Sequence, residues 1–170
     1  MRIHTVQLGD WRQYREVRLA ALRDTPSALA STWQKEEAYP ESRWIERAQG
    51  SQDGESATIV AAVDDTGRWA GLAGGIRPSA ADADAELISM WVEPASRGHG
   101  TGQRLVSAVL SWAEGHEASV VGLWVNLTNQ PAIGLYEQAG FRRTGETAPL
   151  PSDPLQQEMR MIRRAERNGQ

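Results

Sequence analysis

Arg97-Gly98-His99-Gly100-Thr101-Gly102 carries the clearest chemical signal in this chain. Glycines at alternate positions leave successive backbone N–H groups uncovered, and such groups form a concave cradle for an anion. The flanking residues strengthen the reading. An apolar run from Glu86 to Val92 stops at Pro94, and helical periodicity begins at once from Gln103 to Val109. Strand, glycine loop and helix in that order aim the positive end of a helix dipole at whatever sits in the loop. The segment is expected to hold a pyrophosphate. On its own it does not say whose, and the glycines could equally serve only to cap the helix. The Walker pattern fails because no Lys-Ser/Thr pair follows the last glycine. The dinucleotide fingerprint fails because Leu105 stands where its third glycine belongs.

The elements that must position this loop follow from periodicity. Residues 2–8 alternate as a first strand. Asp10 with Gln13 matches a capping box, opening a helix that runs to about Asp24 with Trp11, Tyr14, Val17, Ala21 and Leu22 on one face. Pro26 ends it. A less regular helical region covers Ser27–Trp33 and Glu41–Ala48, so the two helices form a cap between the first strands. Ala57–Val63 and Trp69–Arg77 flank Asp64-Asp65-Thr66-Gly67, a hairpin signature. Pro78–Asp84 is small and acidic and reads as a mobile loop. After the glycine loop a helix runs from Thr101 to Glu114, with Leu105, Val106, Val109, Leu110 and Ala113 on one face. Val120–Asn126 is a strand. Asn129 caps a further helix bearing Ala132, Ile133, Tyr136 and Ala139, which Gly140 closes. Phe141 begins another strand, Pro149–Pro154 is a loop, Gln156–Ile162 is a last strand, and the polar chain from Arg163 is expected to fray.

The order reads βααββββαβαββ, give or take an element: a single-domain α/β fold over residues 1–165, with 166–170 as a polar tail. The 170 residues suffice for one core, and 40% hydrophobic with 24% charged residues is ordinary for a folded domain. A net charge of −4 argues against nucleic acid or an anionic membrane as the main partner. Without cysteine there is no disulfide, no thiolate metal site and no cysteine nucleophile. No apolar run is long enough to span a bilayer and none resembles a signal-peptide core, so a cytoplasmic location is expected.

Taken together, two motifs resemble the GCN5-related N-acetyltransferases, the GNAT family, in its small-molecule bacterial branch. The first is Val92-x-Pro94 followed by Arg97-x-x-Gly100-x-Gly102. The second is Asn129-x-x-Ala132-x-x-x-Tyr136-x-x-x-Gly140-Phe141, at the family's distance from the first. The N-terminal run Arg18–Ala28 and the pair Glu158-Met159 are similar to that branch as well. The resemblance implies a mixed, largely antiparallel sheet of six to seven strands, splayed between the fourth and fifth and flanked by about four helices. It also implies acetyl-CoA as cosubstrate, no metal, and a small-molecule amine as acceptor. Homodimers are common in the family, so a homodimer is one possible assembly.

The roles it implies are specific. Backbone groups from Gly98 to Gln103 (His99, Gly100, Thr101 and Gly102 between them) would hold the CoA phosphates, with Arg97 nearby. Met90, Trp91 and Val92 would pair with the pantetheine arm as an added strand, and the N–H of Trp91 or Val92 would polarise the thioester carbonyl. Asn129 would contact the CoA arm, or serve only as a helix cap. His99 either reaches phosphate or faces solvent. Tyr136 corresponds to the general acid that protonates the departing thiolate, against the alternative of a packed core tyrosine. Glu86 stands at the spacing of the glutamate base of histone acetyltransferases, or is an exposed charge at a strand end; Ser89 and Glu93 are weaker candidates. Trp33, Trp44 and Trp91 could line an aromatic acceptor pocket or simply pack. Asp82, Asp84 and Glu86 would favour a cationic amine unless they form a solvated loop. Transfer would be direct attack in a ternary complex. Acetylation of a protein or peptide amine, and a silent acyl-CoA sensor, are the alternatives.

Overall fold

Alternating apolar strands and amphipathic helices resolve into one seven-stranded sheet with helices on both faces. The computed structural model describes residues 1–78 and 82–165. Its elements are β1 (Arg2–Thr5), α1 (Trp11–Asp24), α2 (Trp33–Glu37), α3 (Glu41–Asp53), β2 (Ala57–Val63), β3 (Trp69–Ile76) and β4 (Ala85–Val92). They continue with α4 (Thr101–Gly115), β5 (Val120–Asn126), α5 (Gln130–Gln138), β6 (Arg142–Leu150) and β7 (Asp153–Arg164). The strand order is β1-β2-β3-β4-β5-β7-β6. Each neighbouring pair is antiparallel except β4–β5, which is parallel. Among the described residues no helix is long and apolar enough to cross a membrane.

The period-two alternation of the strands feeds two cores. On one face Val60, Leu87, Leu123, Val125, Met159 and Met161 meet the stripe Leu105, Val106, Val109, Ile133 and Phe141 from α4 and α5. On the other face Val63, Leu72 and Trp91 meet Tyr14, Leu22, Leu29, Trp44 and Ala48 from the cap. At Gly75 the Trp112 ring would lie 2.8 Å from an added Cβ, so only glycine lets α4 approach β3 this closely. The Trp112 indole N–H donates to the Gly54 carbonyl at 2.7 Å, fixing the ring there.

Several local expectations are corrected. Asp10 does not cap α1. Its carboxylate accepts the Gln7 backbone N–H at 2.8 Å and pairs with His4 Nε2 at 2.7 Å, closing the turn that precedes the helix. The second helix does not begin at Ser27. Residues 26–31 form turns and bends, and α2 starts only where the Thr32 hydroxyl accepts from the Lys35 N–H at 3.3 Å. Three strands, not four, lie between the cap and the glycine loop. The Pro149–Pro154 loop contracts to a tight turn, because Leu150 already pairs with Asp153. The chain does not fray at Arg163, which pairs with Val121 within the ladder. Part of the expected acidic loop (79–81) and the tail (166–170) lie outside the described residues.

One ion cluster ties the cap together. Arg18 on α1 donates to Glu36 through Nε at 3.1 Å and Nη2 at 2.8 Å, and Arg47 on α3 adds a third bond at 3.0 Å. Burial alone would push the Glu36 carboxyl up. Its hydrogen bonds and charge pairing with the two guanidinium groups outweigh that and hold it at about 2. Its stabilising contribution is therefore full above the ordinary carboxylate pKa and lost as pH falls through that value toward about 2. Glu36→Gln is expected to cost about 3–5 kcal/mol in urea unfolding at neutral pH, because it strands buried cations. The difference from the parent protein should shrink in acid over that window; equal stability at pH 7 would remove Glu36 from this role.

Candidate active site

The sheet comes apart at one place. β4 and β5 pair only at Ala85–Val121 and Glu86–Gly122, and beyond them no ladder joins the two strands. The cause lies in β4. Leu72 pairs with Trp91 and Gly74 with Ile88, so Ser89 and Met90 together face Ala73. Ser89 takes φ +57°, a left-handed conformation costing a non-glycine residue about 1–2 kcal/mol. An inserted residue of this kind bends its strand and sharpens its twist. It carries the end of β4 away from β5 and leaves a V-shaped opening with backbone groups on its lips.

The glycine loop sits at the wide end of that opening. Gly98 and Gly100 have φ of +77° and +78°, and Gly100 is the N-cap of α4 without a capping side chain. Among the described residues, none of the backbone N–H groups from Gly98 to Gln103 donates to a protein acceptor. Six unpaired N–H groups thus gather in the loop and first turn of a fifteen-residue helix, an arrangement able to hold an anion. Thr101 is buried, and His99 is exposed with no side-chain partner among the described residues. Gly102 has a packing role: an added Cβ would lie 3.0 Å from Leu135 and 3.3 Å from the Met90 methyl, so it sets the closeness of α4, α5 and β4. The Gln103 side chain donates to Gln138 at 3.0 Å, joining the same two helices.

Arg97 is committed elsewhere. Its Nε donates to the Val92 carbonyl at 2.8 Å and its Nη2 to the Asp24 carboxylate. Asp24 also accepts the Trp91 indole N–H at 2.9 Å. The end of α1, the end of β4 and the glycine loop are thereby clamped together.

On the α4–α5 side, the Asn129 side chain caps α5 by accepting the Ala132 N–H at 3.3 Å. Tyr136 is 6% exposed, with its ring edge-on to Phe141 at 6.0 Å between centroids. Burial pushes its phenol well above the ordinary tyrosine value. Among the described residues nothing hydrogen-bonds to its hydroxyl, so the packing reading and the proton-donor reading are compatible.

The cap-side face of the opening differs most from expectation. Glu86 is not an exposed charge. Arg160 on β7 reaches across β5 and donates to Glu86 at 2.7 and 2.5 Å, and to Asp82 at 2.5 and 3.3 Å. The Arg160 hydrogen bond also holds the Asp82 carboxyl below the usual range. Gly122 makes the crossing possible, since a Cβ there would collide with the guanidinium. Asp84 is likewise occupied, accepting the Ser119 and Val120 N–H groups at 2.8 and 2.9 Å. The acidic cluster is thus internally used rather than aimed at a cation.

Glu158, noted in the sequence only as part of the pair Glu158-Met159, was given no role there. It lies opposite Asn126 in the β5–β7 register, and cross-strand partners share a face. Asn126 donates to the Ser27 carbonyl at 3.1 Å and to Gln156 at 2.7 Å, so that face is the cap side. Glu158 is 8% exposed and has no hydrogen-bond or ionic partner among the described residues, and burial raises its carboxyl above the usual value. The signal was present: Gln156, Glu158 and Arg160 alternate with Met159 and Met161, polar groups at period two on a buried strand.

Two cavities open on the cap side. One of about 470 Å³ lies between the end of α1, Trp33 and the β6–β7 turn, with Ser27, Ser152 and Gln156 in its wall. The other, about 370 Å³, lies under α1 and α3 against β2–β4 and reaches Ile88 and Ser89 at the bulge. Trp33 is the only member of the expected aromatic trio that lines either cavity: Trp44 is wholly buried in the cap core and Trp91 is held by Asp24.

The model of the acetyltransferase (GNAT) family matches residues 16–141. Among curated proteins, mycothiol acetyltransferase of Brachybacterium faecium is 35% identical over 74 residues, 44% of this chain and 22% of that protein. The N-alpha-acetyltransferase RimI of Mycobacterium tuberculosis is 40% identical over 60 residues, 35% of this chain and 36% of that protein. The chain thus spans well under half the length of these relatives. Among solved structures, yncA of Salmonella typhimurium with its cofactor acetyl-CoA superposes with TM-score 0.79 at 18% identity, covering 100% of this chain and 96% of that one. PaiA N-acetyltransferase of Thermoplasma acidophilum in complex with coenzyme A gives 0.74 at 15% identity, covering 97% and 100%. At these identities the superpositions show a shared fold.

The loop geometry makes its own prediction. Gly100→Ala is expected to lower stability by about 1–2 kcal/mol in urea, the cost of a Cβ in the left-handed region. Inorganic pyrophosphate should raise the melting temperature of the parent protein, and Gly100→Ala should abolish that rise. His99→Ala should change neither property; loss of the pyrophosphate effect in that variant would move the anion contact from backbone to side chain.

Proposed function

The chain belongs to the GNAT acetyltransferase family, and on that premise we propose that it transfers the acetyl group of acetyl-CoA to the primary amine of a small molecule. The observation that carries this reading is the adjacency of two features: unpaired N–H groups at the start of α4, and a strand that has abandoned its neighbour beside them. The first suits the pyrophosphate of CoA. The second suits the pantetheine arm, whose amides take the place of the missing β5 ladder along Met90, Trp91 and Val92. Partly open cavities of a few hundred Å³ on the opposite side of the opening have room for an acceptor of small-molecule size. The resemblance to mycothiol acetyltransferase points the same way, and that to RimI keeps a peptide amine as the second reading.

In this reading the acceptor nitrogen attacks the thioester carbon directly while a β4 backbone N–H beyond the bulge holds the carbonyl oxygen as charge develops there. The C–S bond breaks, and the thiolate takes a proton from Tyr136. The phenol's raised pKa keeps it protonated but makes it a weaker acid, and the transfer stays feasible because the same apolar surroundings disfavour the thiolate and raise its proton affinity as well. The proton leaving the amine needs a carboxylate that is not already paired. Glu86 is occupied by Arg160, and we assign this step to Glu158, whose burial makes it a stronger base than an ordinary glutamate.

Coenzyme A at a hundredfold excess over its Kd should raise the melting temperature by roughly 5–10 °C; no rise would sink the reading. Tyr136→Phe should keep that rise while kcat falls roughly a hundredfold or more, and unaltered turnover would return Tyr136 to packing.

Glu158→Gln should lose most of kcat/KM and the acidic limb of the pH–rate profile. It should at the same time be more stable at neutral pH. A carboxyl whose folded-state pKa is raised stabilises the fold only where it is protonated, so removing its charge helps increasingly as pH rises through that value, and not below the ordinary glutamate pKa. A variant that keeps the acidic limb would remove Glu158 from proton acceptance.

A further inference from the structure

The cavity under α1 and α3 has an imbalance that the cap does not explain. Arg18 is 6% exposed, and its Nε and Nη2 are satisfied by Glu36. Its Nη1 is fully buried without a hydrogen-bond partner, and Arg18 is part of the cavity wall. An unpaired donor on a charged group is among the costliest things a fold can bury. Arg47, also in the wall, donates to the same Glu36, so two guanidinium cations share one carboxylate. Arg43 and Glu46 at the rim satisfy each other at 2.7 Å and contribute no net charge. The cavity is therefore left with one net positive charge, and the unpaired Nη1 lies buried behind its Arg18 wall, where a ligand reaches it once the guanidinium turns toward the cavity.

Its other end is the bulge. Ser89 and Ile88 lie in the cavity wall, beside the opening where β4 parts from β5, and apolar side chains such as Ile59, Leu72 and Ile76 line the space between. A ligand filling it would place one end against Arg18 and the other beside the strand that faces the thioester. About 370 Å³ suits a molecule of amino-acid size. We propose that this cavity is the acceptor site and that Arg18, backed by Arg47, binds a carboxylate there. The acceptor is then an amine that also carries a carboxylate, with an apolar portion between the Arg18 end and the bulge. This rests on the acetyl-transfer reading and reverses the charge preference expected from Asp82, Asp84 and Glu86, all three of which are occupied within the fold.

The test compares matched acceptors on the full chain with acetyl-CoA: leucine, leucinamide, isopentylamine and the dipeptide glycylleucine. Coenzyme A release should favour leucine over leucinamide and isopentylamine by at least about tenfold in kcat/KM, the weight of one charge-assisted hydrogen bond. The dipeptide separates the sources of the carboxylate: if it equals leucine, the site takes a C-terminal carboxylate at variable distance from the amine, and if it fails, the site takes a free amino acid. In Arg18→Lys the acid-to-amide ratio should collapse toward one through a higher KM for the acid. Equal use of leucine, leucinamide and isopentylamine by the parent protein would overturn the proposal whether or not the variant folds.

A second readout needs no turnover. Millimolar leucine should raise the melting temperature of the parent protein and leucinamide should not; no rise with leucine would overturn the proposal. If coenzyme A gives no shift while leucine does, the acetyl-transfer reading fails and the Arg18 site stands. If coenzyme A shifts the protein and leucine neither binds nor reacts, the reverse holds.

Discussion

The function proposed for this chain depends on a ladder that is not made. Two hydrogen-bonded residue pairs join β4 to β5, and then the strands part. An unmade ladder in the middle of a sheet is costly, because each unpaired backbone group buried from water forfeits a hydrogen bond. The single inserted residue at Ser89 follows the last pair and turns the end of β4 away from its neighbour. The same departure creates the lip on which an extended ligand can complete the sheet, so the structural defect and the binding feature are one object.

A sheet opened in this way has to be held at its edges, and charged side chains do the holding. At the closed end Arg160 passes over Gly122 and binds β4 to β7 through Glu86. At the wide end Asp24 gathers Trp91 and Arg97, fixing α1 against the strand and the glycine loop. The flexible-looking residues of the site are thus its most constrained. Glu86 was a candidate base through the spacing it shares with histone acetyltransferases, and Arg97 a candidate phosphate contact because it opens the glycine loop. Their partners lie at sequence separations of 74 and 73 residues, which no local pattern reveals.

That contrast locates what could be read from the chain and what could not. Most strands and helices, and the strand-loop-helix around the glycines, were legible in local periodicity, and the splay between fourth and fifth strands followed from the resemblance to the family. The N-terminal cap was less so. Its second helix is only five residues long and is started by Thr32, a capping signal too weak to outweigh the apolar residues of 27–33. The tryptophans divided for a similar reason. Trp44 and Trp91 have the composition of an aromatic pocket, but one fills the cap core and the other spends its indole N–H on Asp24. Gly102, expected as part of a phosphate cradle, also governs how closely α5 can lie against α4. Side-chain type showed where chemistry is feasible; only the register showed which groups remain free to perform it.

The deciding distinction among the buried charges is therefore whether each has a partner. Glu36 and Glu86 are each bonded by arginine, and burying a carboxylate is affordable only on such terms. Glu158 and the Nη1 of Arg18 lack partners within the described chain. Neither position requires a charge for packing, since a neutral side chain of similar volume would remove the desolvation cost. Both lie on the cap side of the sheet, Glu158 on β7 and Arg18 in the wall of a cavity that reaches β4 and does not include Glu158. In the proposed reading the two therefore do separate work, one taking the amine proton and the other meeting the carboxylate of the acceptor.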